Sequence, residues 1–180
     1  NDVSKLMIYA YADASLNNLP DSVSSTRGFA IFLVSEQKAA IISWGARKIK
    51  RVARTIIYAE GLALSACLDE AILLREIITT SLCLPSTSGE AVPVIGLCDN
   101  KSLVDNIYSS HQAEDLKLRR EVASLRQQME EREVKDIVWV PDSLQLADCL
   151  TKTSNSKNPV ENLLKVIQSG SLDFNPSIPN

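Results

Sequence analysis

The sequence predicts an α/β fold in which helices pack on a mixed five-stranded sheet. Three segments rich in β-forming residues come first, and strand and helix segments then alternate along the chain. Successive strands joined by polar turns favour an antiparallel meander, and the alternation that follows favours parallel strands. Hydrophobic residues make up 45% of the 180 residues, which is enough for one core.

Apolar runs bounded by turn residues place the individual elements. They predict strands at 5–12, 28–34, 39–44, 92–98 and 136–140. An Ala- and Leu-rich segment at 57–84 predicts a long helix. This helix should be buried, because apolar side chains cover most of its circumference. Shorter helices are expected at 100–109, 111–132, 144–152 and 160–168. We expect residues 1–153 to form one domain and residues 154–180 to be a linker, a short helix and a C-terminal tail.

Composition argues against several classes of protein. No apolar run reaches the roughly 18 residues that cross a bilayer, and the polar N-terminus differs from a signal peptide, so no membrane partner is expected. The missing initial Met indicates a piece of a longer chain. A zinc site is not expected, because the single histidine, His111, has no cysteine near it in sequence. The cysteines form no CxxC pair and lie in apolar stretches, which favours buried thiols in a reducing compartment: Cys67, Cys83, Cys98 and Cys149.

The charged residues are unevenly distributed. The net charge is −3, which by itself is not typical of a protein that binds nucleic acid. A local group of five cations within eight residues nevertheless predicts either a phosphate-binding surface or a solvated connection between a strand and a helix. This basic segment consists of Arg47, Lys48, Lys50, Arg51 and Arg54.

Four carboxylates lie at comparable places in the predicted layout. Asp13 and Asp99 each follow an apolar strand, Glu60 lies in the first turn of the long helix, and Asp148 lies in the last predicted core helix. Each acid alone suits a turn, a cap or a solvated helix face. If strands one and four are neighbours at the centre of the sheet, however, their ends bring Asp13 and Asp99 together, and the helices add the other two.

Crowded carboxylates repel one another and raise each other's pKa unless cations neutralise them. Hard divalent ions prefer oxygen ligands, and Mg²⁺ also keeps waters and substrate phosphate in its coordination shell. Two such ions ~4 Å apart can activate a water and stabilise the departing oxygen of a phosphodiester. The four acids therefore predict a metal centre suited to phosphodiester hydrolysis.

The amino-acid sequence around these acids resembles that of the RNase H domain of copia-type retrotransposon polyproteins over about residues 6–152. The matching segments are Tyr-Ala-Asp13-Ala-Ser, Ile-Ser-Trp44, the basic segment, Tyr-Ala-Glu60-Gly-Leu-Ala-Leu, Leu-Cys-Asp99-Asn100-Lys-Ser and Val-Trp139-Val-Pro-Asp-Ser-Leu-Gln-Leu-Ala-Asp148-Cys-Leu-Thr-Lys152. The resemblance implies the ribonuclease H-like fold, two Mg²⁺ or Mn²⁺ ions, and hydrolysis of the RNA strand of an RNA–DNA hybrid. It also implies that the four acids bind the ions and that Asn100 contacts the hybrid, although helix capping explains Asn100 as well.

The same resemblance implies a cellular setting. The partner is expected to be the reverse transcriptase domain of the same polyprotein, and the location a cytoplasmic virus-like particle or the nucleus. Copia-type relatives have small or hydroxyl residues before the helix glutamate, where this chain has Thr55-Ile56-Ile57-Tyr58. Either these apolar residues remove hydrogen bonds to nucleic acid, or they are core residues that lead into the helix. Many RNases H also have a loop histidine before the last aspartate; residues 140–147 contain none, and His111 is expected to be a solvated helix-start residue.

Other polar and aromatic residues have two interpretations each. Trp44 and Trp139 could stack on bases, but their position in apolar strands favours core packing. Lys117, Arg119 and Arg120 could contact nucleic acid or a neighbouring domain, but their mixture with acids at 114, 115 and 121 favours a solvated helix face.

Three functions are compatible with these observations. The first is an active RNase H that degrades RNA during reverse transcription. The second is a domesticated or decayed module that serves as a non-catalytic nucleic-acid or protein-binding scaffold, although four retained acids without ions would disfavour folding. The third is another nuclease of the same fold, such as an integrase or resolvase, which the late position of Asp148 disfavours.

Overall fold

Five strands form one mixed sheet in the order β3-β2-β1-β4-β5. The computed structural model describes residues 5–16, 25–84, 92–152 and 157–172. Antiparallel pairing joins the first three strands, and parallel pairing joins β1 to β4 and β4 to β5. The predicted fold class is confirmed, including the neighbouring positions of strands one and four. The strands are β1 (Leu6–Ser15), β2 (Thr26–Ser35), β3 (Lys38–Lys48), β4 (Val94–Cys98) and β5 (Asp136–Trp139).

Four α-helices pack on the two faces of this sheet. They are α1 (Ile56–Ser81), α2 (Lys101–Tyr108), α3 (Leu116–Glu130) and α4 (Lys157–Ser169). Side-chain oxygens cap three of them, because the first amides of a helix lack partners within it. Thr55 accepts from Tyr58 N in α1, Asn100 from Leu103 N in α2, and Asp115 from two amides of α3. In the described part of the chain, no helix is long and apolar enough to span a membrane.

The apolar core is divided by the sheet. Helices α1, α2 and α3 cover one face, where β-strand residues such as Ile8 and Ile31 meet Leu64 and Leu68 of α1. The opposite face buries Tyr9, Tyr11 and Phe32 together with residues of α4 and its C-terminal extension. The predicted domain division at residue 153 falls outside the described residues and stays a prediction.

The long helix is less buried than expected. Its N-terminal half contributes most of its buried residues, whereas Leu73 and Ile77 in its later turns are 60% and 53% exposed. An apolar circumference predicted burial on every side, but the helix extends beyond the neighbours that could cover its last turns. The prediction is therefore correct only for the half that carries Glu60.

The predicted helix at 144–152 is wrong. Two short 3-10 turns, Asp142–Leu144 and Asp148–Leu150, occupy this segment, with extended backbone at Gln145 between them. The reason is tertiary, because the buried Gln145 side chain donates from Nε2 to Ala12 O at 2.8 Å and its Oε1 accepts from Ala147 N. These hydrogen bonds hold the segment against β1 in a shape that an α-helix cannot adopt.

Several predicted positions also shift. Strand β1 continues to Ser15, so Asp13 lies inside it rather than at its end and pairs with Gly28 of β2. Glu60 lies beyond the first turn of α1. Cys83 is exposed, contrary to the prediction of four buried thiols, and Cys149 is only partly buried, whereas Cys67 and Cys98 are buried; all four are free.

Close packing at Gly28 brings the last 3-10 turn onto the sheet. A Cβ at this position would lie 2.8 Å from Thr151 Cγ2 and 2.9 Å from Leu150 Cβ. Real side chains do not approach so closely, so glycine is required for the turn that carries Asp148 to lie against β2. We therefore expect Gly28→Ala to lower the free energy of unfolding by about 1–3 kcal/mol, measured by urea denaturation.

Gly61→Ala is the matched control for this substitution. Its Cβ would find its nearest neighbour, Glu121 Cγ, at 3.6 Å, which is an ordinary contact. Alanine also favours a helix interior by roughly 0.5–1 kcal/mol over glycine. Equal destabilisation by the two substitutions would contradict the packing argument at Gly28.

Candidate metal centre

Two buried carboxylates meet where β1 packs against α1. Asp13 and Glu60 are only 5% and 4% exposed. The backbone amide of Ala14 donates a hydrogen bond to Glu60, which ties the helix glutamate to the strand that carries Asp13. Alternation along β1 turns Ala10, Ala12 and Ala14 toward α1, so Asp13 belongs to the opposite face of the sheet, and the Ala14 amide is the contact that joins Glu60 to this strand.

The third carboxylate comes from the parallel strand β4. Its register pairs Tyr11 with Leu97, so Asp13 and Asp99 lie two residues further along each strand, at the same edge. Potential ligand atoms of Glu60, Cys98 and Asp99 all lie within 4.8 Å of one another. The predicted convergence of strands one and four at their ends is therefore realised.

The fourth carboxylate, Asp148, enters from the 3-10 turn rather than from a helix. Its side chain is 8% exposed, and Lys152 Nζ lies 2.6 Å from Asp148 Oδ1 and 2.7 Å from Oδ2. Next to it, Thr151 Oγ1 donates a hydrogen bond to Asp13 Oδ2. Through these contacts the turn is joined directly to the acids of the sheet.

Burial and mutual repulsion favour the protonated form of the acids. Burial, followed by the charges of Asp13 and Asp99, raises the pKa of Glu60 to about 9. Burial also raises the pKa of Asp13 to about 7, although the hydrogen bond from Thr151 acts in the opposite direction. The pKa of Asp99 is raised as well, again mainly by burial.

One oxygen of this group has no partner within the described part of the chain. Glu60 Oε2 is buried and makes no hydrogen bond there, and an unsatisfied buried carboxylate oxygen is costly. A divalent cation would satisfy that oxygen and remove the repulsion between the acids. The donor set, mostly carboxylate oxygens from three different elements, therefore fits a hard divalent metal ion.

Three residues that support this centre were not singled out from the sequence. Gln145 is buried and hydrogen-bonds Ala12, Ala147 and the Asp99 side chain, while Thr151 and Lys152 contact Asp13 and Asp148. All three lie in the Gln-Leu-Ala-Asp-Cys-Leu-Thr-Lys segment, which was the most specific part of the resemblance. The prediction of a helix in that segment prevented their recognition as supporting residues, because polar side chains on such a helix would have faced solvent.

Four residues of the basic segment, all but Arg54, line an exposed groove. Arg47 and Lys48 belong to the end of β3, and the other three cations follow it before α1; all five are exposed. Arg27 also lines the groove, together with Asp69 and Glu121. Arg51 pairs with Glu121 at 3.4 Å, a contact exposed enough to contribute little stability.

Asn100 caps a helix. Its side-chain Oδ1 accepts from Leu103 N at 3.0 Å, while its backbone amide donates to Cys98 Sγ at 3.4 Å. The capping explanation is thus confirmed, and contact with nucleic acid stays a prediction. His111 is exposed, as expected, although α3 begins only after Asp115.

Core packing of the two tryptophans was a wrong prediction. Trp44 is 62% exposed on the edge strand β3, and Trp139 is 41% exposed at the end of β5. Trp139 Nε1 donates to Asp99 O at 2.9 Å, and Lys101 Nζ lies 5.9 Å from the centre of its ring. An aromatic face is therefore available immediately beside the carboxylates.

Of the residues before Glu60, Ile56 is exposed and Tyr58 is buried.

Solved structures with the same fold place this arrangement in context. RNase H1 from Halobacterium salinarum is 20% identical, with a TM-score of 0.55 over 88% of this chain and 98% of that one. The N-terminal RNase H domain of a Mycobacterium tuberculosis protein is 17% identical, with a TM-score of 0.54 over 92% and 99%. LC11-RNase H1 in complex with an RNA/DNA hybrid is 20% identical, with a TM-score of 0.53 over 79% and 92%.

These similarities show that the chain has the ribonuclease H-like fold. The predicted fold class is confirmed at that level as well. No family model matches the chain, and no curated protein matches it.

The raised pKa values predict a pH-dependent stability in the absence of metal ions. The folded protein retains protons on Asp13 and Glu60 that the unfolded chain releases near pH 4, so stability is greatest below that pH with respect to these groups. As pH rises through about 7 and about 9, we expect a loss on the order of a few kcal/mol. Urea denaturation with a chelator, repeated across this range, measures it.

Glu60→Gln separates this effect from general alkaline destabilisation. The neutral amide cannot ionise, so the variant should be more stable than the parent chain near pH 9 and should show a flatter profile. Glu114→Gln, a change at an exposed glutamate, is the control. A parent stability that stays constant or increases between about pH 5 and about pH 9 would contradict the prediction.

Proposed function

We propose that this protein is a metal-dependent endonuclease that hydrolyses the RNA strand of RNA–DNA hybrids. The observation that carries the proposal is the convergence of four carboxylates around the unpartnered Glu60 oxygen, on a ribonuclease H-like fold. The arrangement satisfies the expectation for a hard-ion centre with oxygen ligands from separate elements. Mg²⁺ or Mn²⁺, as two ions, is the proposed cofactor.

The position of each residue in the site suggests its proposed role. Asp13, Glu60, Asp99 and Asp148 would hold the ions. When bound, two such ions supply an activated water and stabilise the departing oxygen of the phosphodiester. Thr151 orients Asp13 by its hydrogen bond, and Gln145 holds the Asp148 turn against β1. Because residues 140–147 contain no histidine, proton delivery or product release is expected to depend on water or another group.

Two surfaces are proposed to bind the hybrid. The exposed basic segment would contact phosphates, which contributes affinity that does not depend on sequence. Trp139, beside Asp99, offers an aromatic face near the reacting phosphate. The complex of LC11-RNase H1 with an RNA/DNA hybrid supports this kind of substrate.

We further propose that the activity serves reverse transcription of a copia-type retroelement. The support for this proposal is the sequence resemblance around the four acids, above all at residues 145–152. The proposed partner is then the reverse transcriptase domain of the same polyprotein, within a virus-like particle or the nucleus. A non-catalytic scaffold is the competing function, and the next experiment distinguishes the two.

Cleavage of a labelled RNA–DNA hybrid tests the proposed activity. With Mg²⁺ we expect products from the RNA strand only, and no cleavage of duplex DNA. Asp13→Asn or Asp99→Asn should reduce the rate by at least about 100-fold, because each removes a charge that the metal ions require. The products are resolved on a denaturing gel.

Asp105→Asn is the matched control, since this aspartate is exposed on α2 and lies outside the carboxylate group. It should cleave at the parent rate. Activity that survives both chelation and Asp99→Asn would refute the metal centre. A folded parent chain that binds hybrid without cleaving it would instead identify the scaffold.

The salt dependence of binding tests the basic segment. Removal of one cation that binds a phosphate should make the plot of log K against log salt shallower by about 0.7–0.9. We therefore expect Arg47→Ala and Lys50→Ala to weaken hybrid binding and to flatten this plot, measured by fluorescence anisotropy on an Asp13→Asn background that prevents cleavage. Arg120→Ala, on the exposed face of α3, should leave the slope unchanged. Equal slopes for all three variants would exclude the basic segment as the interface.

A further inference from the structure

A thiol lies among the carboxylates of the candidate metal centre. Cys98 is the last residue of β4, and its side chain is completely buried. Its Sγ, a carboxylate oxygen of Glu60 and a carboxylate oxygen of Asp99 all lie within 4.8 Å of one another. The only hydrogen bond found for this sulfur in the described residues is the weak one from the Asn100 amide at 3.4 Å.

A second observation indicates that a cation belongs at this place. Glu60 is 4% exposed, and its Oε2 has no hydrogen-bond partner. No lysine or arginine compensates for the charge of Glu60 in an ion pair among the described residues, whereas Lys152 pairs with Asp148. A positive ion between Glu60, Cys98 and Asp99 would satisfy this oxygen.

The chemical nature of the ligands determines which ions use the sulfur. Mg²⁺ is a hard ion that takes oxygen ligands, so Cys98 contributes nothing to its binding. Zn²⁺ and Cd²⁺ accept thiolate as well as carboxylate, and zinc takes sulfur at ~2.3 Å and oxygen at ~2.0–2.2 Å in a tetrahedron. The three ligand atoms, which lie within 4.8 Å of one another, would have to move closer by side-chain rotation to reach such distances, and water would be the fourth ligand.

We propose that Glu60, Cys98 and Asp99 form a binding site for a thiophilic divalent cation, Zn²⁺ or Cd²⁺, that overlaps the magnesium centre. Binding forms a metal–sulfur bond and releases the thiol proton to solvent. Because the ion takes Glu60 and Asp99, it excludes the magnesium ions that need them and inhibits the nuclease. The inhibition rests on the proposed function, whereas the binding does not.

This site was not expected from the sequence. Zinc was excluded there because His111 has no cysteine near it along the chain, which tests only ligands that are close in sequence. The fold instead brings Cys98 to Glu60, an acid on a different element. A single thiolate with two carboxylates forms a mixed site that no Cys-His spacing pattern describes.

Cadmium absorption measures the proposed bond directly. The full chain carrying Cys83→Ser and Cys149→Ser lacks the two cysteines that are not fully buried. On titration with Cd²⁺ we expect this chain to develop the ultraviolet charge-transfer band of a cadmium thiolate. Further substitution of Cys98→Ser should abolish the band, while Cys67→Ser should retain it. No band in the first chain, or an undiminished band after Cys98→Ser, overturns the proposal.

Affinities supply a second, independent comparison. Cys98→Ser should weaken Cd²⁺ binding by roughly 10- to 100-fold, at least as much as removal of an outer-shell partner costs a metal site. Binding of Mg²⁺ in the same calorimetric titration should change by less than about twofold, because magnesium does not use sulfur. Equal weakening of both ions would show that Cys98 acts only through the fold, and would overturn the site.

Two provisions keep this inference separate from the proposed nuclease. If Cys98→Ser does not fold, Asp99→Asn retains the thiol and removes one carboxylate, and it should weaken the cadmium band; an unchanged band overturns the site. A cadmium band in a chain that never cleaves hybrid supports the site and refutes the nuclease. Magnesium-dependent cleavage by a chain without the cadmium band supports the nuclease and overturns the site.

Discussion

The burial of several carboxylates in one place is the constraint on which this structure depends. Asp13, Glu60 and Asp148 are nearly inaccessible to solvent, and Asp99 is adjacent to them. The removal of hydration and the mutual repulsion oppose this arrangement, and both raise the pKa of Asp13 and Glu60. The surrounding fold must hold the acids together against that opposition, and a bound cation removes it.

The fold meets this constraint with contacts from three directions. Parallel pairing of β1 and β4 aligns Asp13 with Asp99, and the amide of Ala14 holds Glu60 from the helix side. The turn that carries Asp148 is attached by Gln145 and Thr151, and the lack of a side chain at Gly28 lets it approach the sheet. The same packing therefore holds the acids together without metal ions and forms the proposed metal centre.

The surroundings of the acids also determine which ions and ligands the site accepts. Oxygen ligands favour hard ions, whereas Cys98 adds a soft ligand beside Glu60 and Asp99. Lys152 supplies a local positive charge to Asp148, and the exposed Trp139 lies at the rim. The basic segment on the exposed groove extends the positive surface that a phosphate backbone would require, despite the net charge of −3.

Sequence alone predicted the α/β class, the succession of strands along the chain and the four acids as candidate ligands, because apolar periodicity and the residues that follow strands are local properties. It did not determine the path around Asp148, where hydrogen bonds from Gln145 to residues distant in sequence replace a helix by 3-10 turns. It also misplaced Trp44 and Trp139, since apolar neighbours along a strand do not reveal an edge or a strand end. The four carboxylates were thus visible in the sequence, while the tertiary structure decided what holds them and added Cys98, because ligand distances depend on packing between elements.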